Sequence, residues 1–150
     1  LHVKRHSFPT RRSSDLEGVD YIVVGAYALA AHGYPRATGD IDIWVNPDPA
    51  NAARVLNSLK RFGSPIYSVA PENFTVKGTI FQIGVAPRRI DIITAITGVE
   101  FEEAWEDRLV AEVDGVKVNI LSLDKMIRNK EATGRAKDAL DVKILRSKER

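Results

Sequence analysis

The chain contains no cysteine, so it forms no disulfide and offers no thiolate to a metal. That absence permits a reducing compartment, and a cytoplasmic location is the expectation. No window approaches eighteen uninterrupted apolar residues, so no helix is expected to span a bilayer and no membrane is expected among the partners. Two phosphate-binding signatures are also missing. A Gly-x-Gly-x-x-Gly turn would need glycines where Tyr27 and Ala30 stand, and no Gly-Lys-Ser/Thr occurs. A Rossmann turn and a P-loop are thereby excluded. Internal repeats and low-complexity linkers are absent as well.

What is present is an ordinary globular composition: 150 residues with 44% apolar and 28% charged side chains, enough for one domain and too few for two. Charge is unevenly spread. Residues 1–16 carry a net +3, residues 17–119 a net −5 and residues 120–150 a net +4. The opening sixteen residues show no apolar period and no signal-peptide core. They read as an artefactual leader of sequencing-adapter origin, with a basic nucleic-acid-binding arm as the other reading. Residues 17–150 are expected to form the single domain; its acidic body could hold cations and its basic tail phosphates, but on charge alone a helical tail with solvated charged faces is the favoured reading.

Local patterns give the order of elements. Tyr21-Ile-Val-Val24 is a β-branched run ending at Gly25, and the Ala/Leu-rich stretch from Ala26 to His32 predicts a helix. Asp40 to Val45 alternates, with Asp40, Asp42 and Trp44 on one face and Ile41, Ile43 and Val45 on the other. Pro47 and Pro49 open a helix to about Phe62. Residues 63–78 read as loop, and two strands follow, Thr79 to Val85 and Arg89 to Thr94. A mixed segment runs from Glu100 to Arg108. Asp114-Gly115 marks a hairpin between Leu109–Val113 and Val116–Leu121. Ser122 is a candidate N-cap for a helix through Asn129, and a last helix is expected from Arg135 to Leu145. The predicted fold class is α/β (α+β), a mixed β-sheet with helices packed on it.

Asp40 and Asp42 are the most informative pair. Two apart on a strand, their carboxylates share a face and repel one another, which a divalent cation relieves. Two-metal phosphoryl or nucleotidyl transfer needs such oxygen ligands. Asp91, in Arg-Ile-Asp-Ile-Ile, alternates in the same way. Were its strand beside that of Asp40, it would complete a three-carboxylate cage and help deprotonate an attacking hydroxyl. The competing reading is an exposed aspartate paired with Arg89. Gly25, at a strand-to-helix junction, leaves backbone N–H groups that could cradle a triphosphate. Trp44 could stack a base or pack on the sheet, and His32 reads as a capping or surface residue. Arg88 and Arg89 could line a phosphate path or form a strand-entry charge pair.

The segment from Val24 to Val45, with Gly25-Ala26, the short helix, Arg36-Ala-Thr38 and Asp40-Ile-Asp42-Ile, resembles the signature of the DNA polymerase beta-type nucleotidyltransferase superfamily. The Arg-x-Thr-x-Asp-h-Asp variant, with h apolar, is similar to the AbiEii/AbiGii toxin-like branch. The resemblance implies a nucleotidyltransferase enzyme using a nucleoside triphosphate with Mg2+ or Mn2+. Asp40, Asp42 and Asp91 would be the catalytic and metal-binding residues. Gly25, Ala26, Arg36 and Thr38 would bind nucleotide, with Lys130 touching phosphate and Asp138 holding the basic groups of the tail. Ala26 departs from the Ser or Gly usual after the first glycine, which leaves only its backbone N–H for phosphate. A family helix expected before Val19 is replaced by the leader. Three functional readings stay open. The first is transfer to RNA as a type IV toxin with an antitoxin partner. The second is modification of a small molecule such as an antibiotic. The third is a catalytically silent nucleotide-binding interaction module.

Overall fold

The computed structural model describes residues 2–5, 18–34, 39–64, 68–85 and 88–148, with only the backbone of 2–5. The strands are β1 (His2–Arg5), β2 (Tyr21–Val24), β3 (Asp40–Val45), β4 (Ile80–Ile83), β5 (Arg89–Ile93), β6 (Leu109–Val113) and β7 (Val116–Ile120). The helices are α1 (Gly25–Ala31), α2 (Pro49–Phe62), α3 (Phe101–Glu106), α4 (Leu123–Thr133) and α5 (Ala136–Lys148). One seven-stranded mixed sheet runs in the order β1-β6-β7-β2-β3-β5-β4. The pairs β2–β7 and β3–β5 are parallel; β1–β6, β6–β7, β2–β3 and β4–β5 are antiparallel. The expected α/β architecture with a mixed sheet is therefore the observed one.

Short-range chemistry explains several boundaries. Asp48 caps α2 by accepting the N–H groups of Ala50 and Asn51 at 3.1 and 3.3 Å, and Pro49 fits its first turn. Gly63, at φ +83°, ends it in the left-handed region. Asp114 and Gly115 take φ +51° and +80°, as a two-residue hairpin turn demands. Ser122 Oγ accepts the Lys125 N–H at 3.2 Å and so caps α4.

Both sheet faces are covered. Ala52, Val55, Leu56 and Leu59 of α2 are buried at the expected helical spacing. Val55 and Leu59 share an apolar cavity of about 170 Å³ with Tyr21, Ile43, Val45, Ile90 and Ile92. On the other face Trp44, 2% exposed, meets Phe101 edge-on at 5.1 Å. Trp105 stacks on Phe101 at 5.7 Å, and the Arg108 guanidinium lies 3.8 Å over the Trp105 ring. Asn51 ties the start of α2 to the sheet: it accepts the Asp20 N–H at 2.7 Å and donates to the carbonyls of Asp20 and Asn46 at 3.1 and 2.8 Å. With those bonds made, full burial of its amide is tolerated.

Four details differ from the sequence expectation. The segment around Phe101 is a helix, α3, because Phe101 and Ala104 are drawn onto the core. Pro71–Phe74 forms a single 3-10 turn that buries Phe74. Helix α4 continues four residues past Asn129 to Thr133, where Gly134 at φ +69° stops it. The backbone of His2–Arg5 adds an edge strand, β1, to β6.

Candidate active site

The parallel pairing of β3 with β5 sets Asp42 opposite Asp91 and Asp40 opposite Arg89. Partners in register across parallel strands share a sheet face, so all four side chains crowd one patch. Asp91 is thus brought beside the Asp40–Asp42 pair. Its burial differs from theirs: Asp91 is buried, whereas Asp40 and Asp42 are half-buried.

Arg89 holds the centre of this patch. Its Nε donates to Asp91 Oδ1 at 2.9 Å, and its Nη2 donates to Asp91 Oδ2 at 3.1 Å and to Asp40 Oδ2 at 2.8 Å. The fork therefore grips Asp91 with two nitrogens and bridges to Asp40. The hydrogen bond to Asp91, against the cost of desolvation, raises the Arg89 pKa further. The sequence offered Arg89 as a strand-entry charge, a phosphate-path residue or the partner of an exposed Asp91; the pairing with Asp91 is observed, but Asp91 is buried and the fork also reaches Asp40.

Among the described residues Arg89 makes no hydrogen bond to Asp42, whose pKa is raised. Burial is the largest cause, followed by repulsion from Asp91 and Asp40. Attraction to Arg89 opposes them, and a hydrogen bond shared with Asp91 raises it further. Among the described residues three carboxylates face the one guanidinium of Arg89 in this patch, and Asp42 is repelled by the other two.

That donor set is all oxygen and suits a hard cation such as Mg2+ or Mn2+. Among the described residues no group of three or more His, Cys, Asp or Glu is placed so that it could hold a metal ion as it stands, and Arg89 is hydrogen-bonded to both Asp40 and Asp91. The chemistry of these oxygen donors fits a divalent ion, and Asp40, Asp42 and Asp91 are the residues of this patch that would hold one.

Gly25 lies against the same cluster. It takes φ +70°, and a Cβ there would collide with Asp42 Oδ2. The positive φ favours glycine here, and any side chain would also push the Asp42 carboxylate aside. Because β2 runs antiparallel to β3 and parallel to β7, β2 and β7 end at the sheet edge where β3 and β5 begin. Gly25-Ala26 and the Ser122 cap of α4 therefore open at the edge that carries Asp40 and Arg89. His32 donates from Nε2 to the Leu121 carbonyl at 2.8 Å, tying the end of α1 to β7.

The remaining expectations fall elsewhere. Arg36 and Thr38 lie outside the described residues. The ion pairs of Lys130 and Asp138 run within the α4–α5 pair. Lys130 Nζ reaches Asp138 Oδ1 at 3.3 Å and Asp141 Oδ2 at 2.9 Å. Asp138 Oδ2 accepts from Thr133 Oγ1 at 2.6 Å and Arg135 Nε at 2.7 Å. Trp44 is enclosed by the core, so it packs on the sheet and presents no stacking surface.

Three comparisons bear on this arrangement. The model of a family described as "Nucleotidyltransferase of unknown function (DUF6036)" matches residues 10–146. None of the curated proteins compared is a match. The crystal structure of a provisionally assigned nucleotidyltransferase from Thermotoga maritima is similar in fold. Its TM-score is 0.53 at 20% identity, over 87% of this chain and 83% of that one. With the family model spanning nearly the whole chain, the protein belongs to this nucleotidyltransferase family, and it is an enzyme of that class.

Proposed function

We propose that the chain is a metal-dependent nucleotidyltransferase that moves a nucleoside monophosphate from a nucleoside triphosphate to a hydroxyl acceptor. The observation that carries this reading is the side-by-side register of Asp42 and Asp91, with Asp40 on the same face.

In this reading Asp40, Asp42 and Asp91 hold the divalent metal. Bound Mg2+ or Mn2+ would neutralise triphosphate charge and polarise the phosphorus under attack. The protein's own part is placement. The N–H groups at Gly25 and Ala26, with Arg36 and Thr38, orient phosphate oxygens. Asp91 lines up the acceptor hydroxyl and helps draw off its proton. Asp42 is partly buried and repelled by both neighbouring carboxylates, which raises its pKa, and a divalent cation would relieve that repulsion. Asp138 fixes Lys130 and Arg135, and Arg135, 70% exposed, is left to meet anionic substrate. Most of the rate enhancement then comes from positioning and charge neutralisation.

An RNA acceptor, with the chain as the toxin of an AbiEii-like type IV pair opposed by an antitoxin protein, is the finer proposal. It rests on the Arg36-x-Thr38-x-Asp40-x-Asp42 pattern and places the enzyme in the cytoplasm, where triphosphates are supplied. Among the described residues no helix is long and apolar enough to cross a membrane. The test is incubation with α-labelled nucleoside triphosphates and, separately, total RNA or an aminoglycoside. Label appearing in RNA supports the reading. Label in the aminoglycoside alone moves the assignment to small-molecule modification, and triphosphate binding without any transfer refutes the enzymatic account.

A further inference from the structure

The guanidinium of Arg89 is the one element of the carboxylate patch that a bare metal-binding site would not contain. It makes three hydrogen bonds to two of the three carboxylates, and its side chain is 31% exposed. Asp40 opposite, at 34% exposure, is similarly open, so the fork is held at the rim of the patch. Asp42, which Arg89 does not touch by a hydrogen bond, is left repelling its neighbours. A cation is thus already built into the site, bonded to two of its three carboxylates.

We propose that Arg89 is an internal counter-cation that competes with divalent metal for Asp40 and Asp91. While no metal is bound it holds the two carboxylates in register and keeps them from splaying apart. When a divalent ion takes them, the guanidinium is released and its forked donors become available to a phosphate oxygen of the incoming triphosphate. Metal and nucleotide then bind cooperatively, since the ion frees the group that greets the anion. This rests on the proposed metal dependence, and the experiment separates the two.

Binding of Mn2+ to the full chain without nucleotide is measured by electron paramagnetic resonance for the wild type and for Arg89→Gln, Arg89→Lys and Asp42→Asn. Thermal unfolding is followed in parallel in chelator and in saturating Mn2+. Removing the competing charge should tighten Mn2+ binding in Arg89→Gln by about tenfold, a modest factor because the ion pair is partly solvated. Arg89→Lys, a point charge without the fork, should fall between the two, and it serves as the second variant should Arg89→Gln fold poorly. Arg89→Gln should melt below the wild type in chelator and recover more on adding Mn2+ than the wild type does. A purely structural arginine would lower melting in both conditions and leave Mn2+ affinity unchanged. Equal Mn2+ affinity in wild type and both Arg89 variants overturns the competition while leaving metal dependence standing. Failure of the wild type and both Arg89 variants to bind Mn2+, or binding undiminished in Asp42→Asn, overturns the metal reading itself.

Discussion

Replacing Asp138 with asparagine tests how the chain holds a charged network beneath the surface. Asp138 is 2% exposed, and burial alone would push its pKa up. Hydrogen bonds from Thr133 and Arg135, with the charge and hydrogen bond of Lys130, overcome that and hold it at about 2. A carboxyl whose folded pKa lies below its unfolded value of 3.8 stabilises the fold above that value and loses the contribution as pH falls through the folded pKa. Linkage converts the shift into about 2 kcal/mol at neutral pH, about 1 kcal/mol near pH 3 and well under 1 kcal/mol at pH 2. Asparagine cannot ionise, and its amide nitrogen faces donors. Urea unfolding of wild type and Asp138→Asn should therefore differ by about 2 kcal/mol from pH 5 to 8, with the gap closing below pH 4. A cycle with Lys130→Met should show coupling of about 1 kcal/mol, because Lys130 retains Asp141 at 2.9 Å. A difference that stays constant from pH 7 to pH 2, or no coupling to Lys130, would refute this account of the α4–α5 junction.

Gly25→Ala should destabilise the fold by about 1–2 kcal/mol in denaturant titration, since it strains a φ of +70°. It should also slow transfer by displacing Asp42. Asp42→Asn should raise the melting temperature of the chelator-treated protein at pH 7. A carboxyl with a raised folded pKa weakens the fold while ionised, and this gain should shrink as pH falls towards the unfolded value. Gly98→Ala should lower stability by about 1–2 kcal/mol, because its φ is +80° and a Cβ would meet that of Ala132. Pairing it with Ala132→Gly should recover only part of the loss, as room returns but the strained backbone remains.

The elements whose causes are local were legible in the sequence. The period-two alternation of Asp40–Val45, the Asp114-Gly115 turn and the Ser122 cap each rest on a few adjacent residues, and each stands where the pattern put it. The carboxylate face of Asp91 was equally legible, but that its strand lies beside that of Asp40 was implied only by the resemblance. Parallel pairing of β3 with β5 joins residues 49 positions apart, and only the assembled sheet sets that register. The grip of Arg89 on two strands was hidden for the same reason. Gly25 was read as a phosphate-loop glycine, whereas its need to clear the Asp42 carboxylate depends on where β3 lies. Helix α3 was missed because six residues carry little periodicity, and their conformation is decided by Phe101 packing on Trp44.

The most direct test of the central claim is the rate of nucleotide transfer by Asp42→Asn at saturating Mg2+, on an acceptor the wild type labels. The variant should remain folded and lose at least about a hundredfold in turnover. Wild-type turnover from folded Asp42→Asn would contradict the assignment of this carboxylate cluster as the catalytic centre.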